Sequence, residues 1–297
     1  MRSILRASFV LAFSFTLVTA GCTEVRSGGN SAPTQAASIL HEQAGTDAAA
    51  AALLPPDVKS RGTLTIASAT ANAPMEFLDA DGKTIIGFDI ELSDAIAATL
   101  GLKAEHVAST FDAIIPGLQA KKYDFGISGF FITPKREKVV DFVPYLRDGS
   151  ALVVPAGNPL GLRMDPATLC GRRLAGEKGS VQGLEYLPAI SKDCQAAVTV
   201  LHFPTLDEAH LALTGGRADA IMEDSIPSGY RAKKSNGKFE VAPGDVYKPV
   251  TTGIAFPKDS ELTTAVQAAL GTLSSSGRLQ ALLDKWSIPS AALLASY

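Results

Sequence analysis

The chain has 297 residues, a net charge of −3, 46% hydrophobic and 19% charged residues. That length allows one large or two medium domains with a sizeable core. The near-neutral balance, with no basic run, excludes the electrostatic footprint of a nucleic-acid-binding protein, and four His residues without a His/Cys cluster point to no metal site.

At the start of the chain, Arg2 and Arg6 precede an apolar run at 9–18 and then the small residues Ala20 and Gly21. This is the layout of a secretory signal over 1–21. The run is too short for a comfortable membrane span. The following "TAGC" resembles a bacterial lipoprotein box, which implies diacylation of Cys22. Thr19 stands where Leu is usual there, and an ordinary cleaved signal is the alternative. From 23 to about 54 the composition is Gly, Ser, Ala, Thr and Gln, ending in "DAAAAALLPP". It reads as a flexible tether, placed at 22–57. With Cys22 set aside, Cys170 and Cys194 remain. In an exported protein they are expected to pair, closing a 24-residue loop worth roughly 3 kcal/mol. Two buried thiols are the alternative.

From Leu64 onward, short apolar runs alternate with helical patterns. "TLTIAS" reads as a strand. "ELSDAIAATLGL" puts Leu92, Ala95, Ile96, Thr99 and Leu100 on one helical face, and Gly101 ends it. This alternation predicts an α/β fold with largely parallel sheets. An internal echo strengthens it. "FDAIIPGLQAKKYDFGISG" (111–129) aligns without gaps on "LDEAHLALTGGRADAIMED" (206–224), matching Asp112 with Asp207, Leu118 with Leu213 and Asp124 with Asp219. Thr205 and Glu208 offer a capping box for the second helix. Each predicted strand ends in small or polar residues, Ser128-Gly129 and Glu223-Asp224. Ligands in open α/β sheets bind beyond such strand ends, so two similar lobes suggest a ligand held between them. One residue is placed against local preference. In "FFITPKREKVVDF", Thr133 is a good N-cap and Pro134 a good first residue, yet Arg136 sits in the first turn, facing the positive end of the helix dipole. Such a cation has a task elsewhere, such as gripping an anion.

Four blocks carry a family resemblance: "GFDIELSDAIAATLGLK", "FDAIIPGLQAKKYDFGISGFFITPKREKVVDFVPY", "GRADAIMEDS" and "GIAFPKDSEL". Their order from about 59 to 286 resembles bacterial extracellular solute-binding proteins of family 3, the capture subunits of polar amino acid ABC importers. The resemblance implies a two-lobed, periplasmic-binding-protein-like type II fold with two crossover strands as hinge. Lobe 1 would hold 58–150 and 252–297, lobe 2 would hold 154–248, and "ALVVP" and "VTTGIAF" would supply the crossings. It implies that Arg136 pairs with the ligand α-carboxylate through its planar fork, and that Asp224 meets the α-ammonium, with Glu223 pointing the other way by strand alternation. A helix N-cap is the alternative role for Asp224. Phe111 would cover the ligand side chain. Ser128, the Gly129 amide, and a loop of Gly179, Ser180 and Val181 followed by Gln182 would reach the carboxylate. A monomer working with permease and ATPase subunits at the outer face of the cytoplasmic membrane, without a cofactor, is the expected setting.

Four departures bear on the ligand. Asn72 stands where many members have a stacking aromatic. Ala69 stands where binders of basic amino acids have an Asp. Phe131 replaces a Ser or Thr, and Val181 replaces a Thr. A missing carboxylate at Ala69 leaves a distal cation without a partner, which leans towards a neutral or weakly polar amino acid unless Glu76 reaches the cleft. Three alternatives stand beside this reading. One is a compatible solute such as ectoine, sandwiched by Phe111 and Phe131. Another is a dehydratase on the same fold, for which His106, His202 and His210 are the available acids. The third is a ligand sensor acting through a separate membrane kinase.

Overall fold

The computed structural model describes residues 45–297. The signal at 1–21, Cys22 and most of the expected tether lie outside the described residues.

The first described elements are helices α1 (Ala48–Ala52) and α2 (Pro56–Arg61). Both precede or straddle position 57, where the tether was expected to end, and they pack on the first lobe. Asp47 caps α1, its Oδ1 accepting from the Ala49 and Ala50 amides at 2.9 and 3.1 Å, and its Oδ2 accepts from the Thr272 hydroxyl. Ala50 and Leu54 are buried in the lobe 1 core. The Ala run is therefore a capped helix with a buried face. Composition alone hides this, because alanine signals neither flexibility nor core.

Strands β1 (Thr63–Ser68), β5 (Lys103–Ala108) and β6 (Phe125–Gly126) form the parallel part of the lobe 1 sheet. A small antiparallel sheet of β2 (Ala71–Asn72), β3 (Glu76–Leu78) and β4 (Ile85–Ile86) lies between β1 and helix α3 (Phe88–Thr99). Helix α4 (Phe111–Gln119) precedes β6, and the short α5 (Pro134–Glu137) follows it. One core cluster contains Leu64, Ile66, Phe88, Ile96, Phe125 and Phe256; the other contains Ala67, Ile114, Leu118, Phe130 and Val140. Successive β1 residues thus feed opposite clusters, as the period of two requires, and the sheet is covered on both faces. Each fully buried Leu, Ile or Phe contributes about 2 kcal/mol.

Strand β7 (Val140–Pro155) is long enough to belong to both lobes. Lobe 2 then adds α6 (Pro166–Leu169), β8 (Arg173–Glu177), a π-turn at Gln182–Tyr186, α7 (Leu187–Lys192), β9 (Thr199–Phe203), α8 (Leu206–Thr214), β10 (Ala220–Asp224), α9 (Ser225–Lys234) and β11 (Phe239–Val241). Strand β12 (Tyr247–Pro257) returns to lobe 1, which helices α10 (Leu262–Ser275) and α11 (Arg278–Trp286) complete. The strand order β5-β1-β6-β12-β7-β10-β8-β9 runs continuously through both lobes because β7 and β12 cross together as an antiparallel pair. Residues 151–155, expected as a crossing, already pair with β10 and β11. The chain passes between lobes slightly earlier, where the β7–β12 register shifts between Tyr247 and Val250 and again between Thr252 and Gly253.

The internal echo is structural. Helices α4 and α8 each precede a short parallel strand, and the aligned Asp124 and Asp219 do one job. Asp124 Oδ2 accepts from the Thr65 amide at 2.7 Å, and Asp219 Oδ2 accepts from the Arg173 amide at 2.8 Å. Each carboxylate thereby ties its strand to the first strand of its own lobe. Thr205 Oγ1 accepts from the Glu208 amide at 3.3 Å, which is one half of the expected capping box. Cys170 and Cys194 form a disulfide with Cα atoms 5.4 Å apart, linking the ends of α6 and α7. Among the described residues, no helix is long and apolar enough to cross a membrane.

Candidate functional site

The strand tips of both lobes meet in one cleft. Its walls include Asn72, Phe111, Ser128, Gly129, Phe131, Arg136, Ser180, Val181 and Asp224.

Arg136 is set by local chemistry. Thr133 Oγ1 accepts from the Arg136 amide at 3.3 Å, and Pro134 opens α5. The side chain then turns from the helix into the cleft, where only 9% of the residue is exposed. Its guanidinium carbon lies 5.5 and 5.4 Å from the ring centroids of Phe111 and Phe130, and these rings stack at 4.8 Å. Cation–π attraction of about 1 kcal/mol per ring holds the fork in place. Nη1 donates to the Phe131 carbonyl at 2.9 Å, and Nη2 donates across the cleft to the Gly179 carbonyl at 3.2 Å. Burial draws its pKa down to about 10, against the charges of Asp224, Glu185 and Tyr186, so it stays cationic at neutral pH. Two of its five N–H donors are used in these bonds.

Asp224 ends β10 on the facing wall. Its Oδ1 accepts from Gln182 Nε2 at 2.7 Å, and Gln182 also donates to Ser150 Oγ at 3.0 Å. A Cβ on Gly129 would come within 3.0 Å of Asp224 Oδ2. With φ +59° at that position as well, only glycine allows so close an approach of the lobes. Burial, and then the Asp148 charge, raise the Asp224 carboxyl well above the ordinary range, while the Gln182 bond opposes them. Although Asp224 occupies the N-cap position of α9, its side chain makes no capping bond. Glu223, next to it, pairs with His210 Nε2 at 2.9 Å, so alternation along β10 separates the partners of the two acids.

The remaining expected residues divide between wall and support. Phe111 covers the cleft but pairs with Phe130, not with Phe131. Phe131 packs against Leu152, Val154 and Val181 in the lobe 2 cluster while its edge lines the cleft. Ser180 spends its hydroxyl on its own loop, donating to the Glu177 carbonyl at 2.7 Å and accepting from the Gly183 amide at 3.1 Å. Glu76 does not reach the cleft. It is fully buried beneath the floor, with Oε1 accepting from Ser128 at 2.6 Å and from Asn72 at 3.2 Å. It faces Asp89, which accepts from Tyr145 Oη at 3.0 Å. Burial and the Asp89 charge raise Glu76 well above the carboxylate range, and burial raises Asp89 to about 7. Two acids this close and this dry hold a proton between them at neutral pH. Glu76 is thus a support for Asn72 and Ser128, and the sequence reading that gave it a ligand contact is corrected by its burial.

The cleft also includes Glu177, Leu206 and Met222, which the motif reading passed over, and Glu223, which strand alternation was expected to turn away. Glu177 is the last residue of β8, so the rule that strand tips carry the site, applied to "RRLAGE", would have found it.

The family model for bacterial extracellular solute-binding proteins, family 3, matches residues 64–289. The chain is 35% identical to the arginine-binding protein ArgT of Corynebacterium glutamicum, an alignment covering 80% of this chain and 78% of that one. It is 32% identical to the lysine/arginine/ornithine-binding periplasmic protein of Escherichia coli, covering 75% and 87%. A crystal structure of a mutant ArgBP from T. maritima superposes with a TM-score of 0.71 at 34% identity, covering 78% of this chain and 98% of that one. The chain belongs to the family 3 solute-binding proteins, and its two lobes with paired crossing strands are their type II fold.

Proposed function

We propose that this chain captures an α-amino acid between its lobes and delivers it to the permease and ATPase of an ABC importer. The carrying observation is the placement of Arg136 and Asp224 on opposite walls of one cleft, Arg136 buried and Asp224 half-buried, each with hydrogen-bonding capacity left over. Arg136 takes the α-carboxylate and Asp224 the α-ammonium. The Ser180–Val181 loop completes the carboxylate end, Ser128 and Gly129 line it with their donors turned to Glu76 and Asp89 at 2.6 and 3.3 Å, and Phe111, Phe131 and Asn72 bound the side chain. A ligand bonded to both lobes favours the closed state, and only such a differential contact drives closure. The folded domain acts outside the cytoplasmic membrane, exported by the 1–21 segment and tethered through acylated Cys22, as a monomer and without catalysis.

The lean towards a neutral ligand rested on Ala69, with Glu76 as the one possible substitute. The cleft holds another carboxylate, Glu177, so that lean loses its ground. The stacked ring pair is Phe111 with Phe130, which removes the argument for an ectoine sandwich. A thermal-shift screen of the common amino acids, ectoine and betaine tests the reading. At least one amino acid should raise the melting temperature, and micromolar affinity corresponds to about −8 kcal/mol. A flat profile across all amino acids would contradict it.

A further inference from the structure

Glu177 is 9% exposed at the tip of β8 and lines the cleft between Leu206 and Met222 on its own lobe and Phe111 across from it. The Leu206 backbone amide donates to its carboxyl group, but among the described residues no side chain donates to it, and the charged groups around it are engaged elsewhere. Lys178, its neighbour in sequence, reaches over to Asp112 Oδ2 at 2.8 Å. Arg231 is held by Asp207 at 2.8 Å and by the Ala71 carbonyl. His210 is taken by Glu223. A carboxyl group left in this state is costly to bury unless something joins it.

The charges of the cleft give the class of what joins it. Glu223 is balanced by His210. Arg136 faces Asp224, and the charges acting on it are those of Asp224 and Glu185 rather than Glu177. The ends of a neutral amino acid satisfy Arg136 and Asp224 and then seal Glu177 from water without a partner. A ligand with a second positive charge satisfies all three. Leu206, Met222 and Phe111 form the apolar sides along which an aliphatic stem lies, as long cationic side chains require. Arg231 donates to the Ala71 carbonyl, and its charge opposes the rise at Glu177. We infer that Glu177 is the receptor for the side-chain cation of a basic amino acid, supplied from lobe 2. This rests on the amino acid reading of the Arg136–Asp224 pair.

In the empty cleft, burial and the charge of Glu223 raise the Glu177 carboxyl to about 8, with Arg231 opposing and Asp112 adding to the rise. At neutral pH it is mainly protonated, and an arriving cation displaces that proton. Binding of a basic ligand therefore carries a proton release beyond that of a neutral isostere.

Calorimetric titration of the purified protein with L-arginine against L-citrulline, and L-lysine against L-norleucine, tests this in wild type and Glu177→Gln. The wild type should prefer the cationic member of at least one pair on the order of 100-fold, since an unpaired buried charge carries a penalty of this size. Glu177→Gln should bring the pair within about threefold by weakening the cationic member, and a cooperative thermal melt without ligand shows that the variant is folded. Titrations in buffers of different ionisation enthalpy should show more proton release for the cationic member than for the neutral one in wild type, and no such excess in Glu177→Gln. Unchanged discrimination in Glu177→Gln, or wild type that does not distinguish the members of either pair, overturns the role of Glu177 while leaving amino acid capture intact. Binding of none of the four, nor of any other amino acid, overturns both.

Discussion

Asp148 caps the helix at whose N-terminus Asp224 stands. Its Oδ1 accepts from the Ile226 amide at 3.3 Å and from the Ser225 hydroxyl, while Asp224 makes no capping bond. A residue on the crossing strand thus performs the local task that sequence position assigns to Asp224. The Asp224 carboxyl is left turned to the cleft, with Gln182 as its side-chain donor.

The two acids should therefore separate binding from stability. Asp148→Ala is expected to lose about 1 kcal/mol of stability with the cap. Asp224→Asn should lose amino acid binding on the order of 100-fold yet leave the empty protein as stable or more stable at neutral pH. The sign follows from the raised carboxyl: a group that holds its proton more tightly when folded loses stability as pH rises from its unfolded value through its folded one. Thermal melts with and without ligand check both variants.

Arg136→Lys keeps a positive charge but not the planar fork. Binding should fall at least tenfold, and Arg136→Ala should fall further. Both variants should also melt earlier by the equivalent of about 1–2 kcal/mol, because the Phe131 and Gly179 carbonyls lose their donor. Titration calorimetry and melting curves measure the two effects separately.

Some of this was legible from residue order and some was not. Strand–helix alternation, the 111–129 and 206–224 echo, the disulfide and the anomalous Arg136 are all local patterns, and local patterns survive in sequence. Asp224 was reachable from the strand-tip rule, whereas Arg136, in the short helix α5, came from the family motif around it. What failed to show depends on packing. Glu76 and Glu177 are both acids near strand ends, yet one lies under the floor and the other on the wall. Nothing in "PMEF" or "LAGE" reports which side faces the other lobe. The early start of the folded domain was hidden because the alanine run at α1 is neutral until Ala50 and Leu54 are seen in the core. The crossing point moved because residues 151–155 read as apolar in either setting.

The Glu76–Asp89 pair gives the empty protein a pH dependence. Burial raises both acids, Asp89 to about 7, so stability is full below about pH 4 as far as this pair is concerned and is lost as pH rises through 7. Glu76→Gln should flatten that decline and stabilise the protein above pH 7 by a few kcal/mol. Chemical denaturation between pH 5 and 8 is the measurement. An unchanged slope would mean the pair holds no shared proton.

The disulfide closes a 24-residue loop between α6 and α7, and neither cysteine lines the cleft. Cys170→Ser with Cys194→Ser should lower stability by about 3 kcal/mol and leave ligand affinity within twofold. A large loss of affinity would show that this loop shapes the lobe 2 wall.

The clamp itself is tested most directly by a crystal structure of the protein with the amino acid that gives the largest melting shift. The ligand carboxylate should lie about 3 Å from the Arg136 guanidinium and its α-ammonium about 3 Å from the Asp224 carboxylate. Density for the ligand away from these two groups, or contacts to one lobe alone, would contradict capture by bridging.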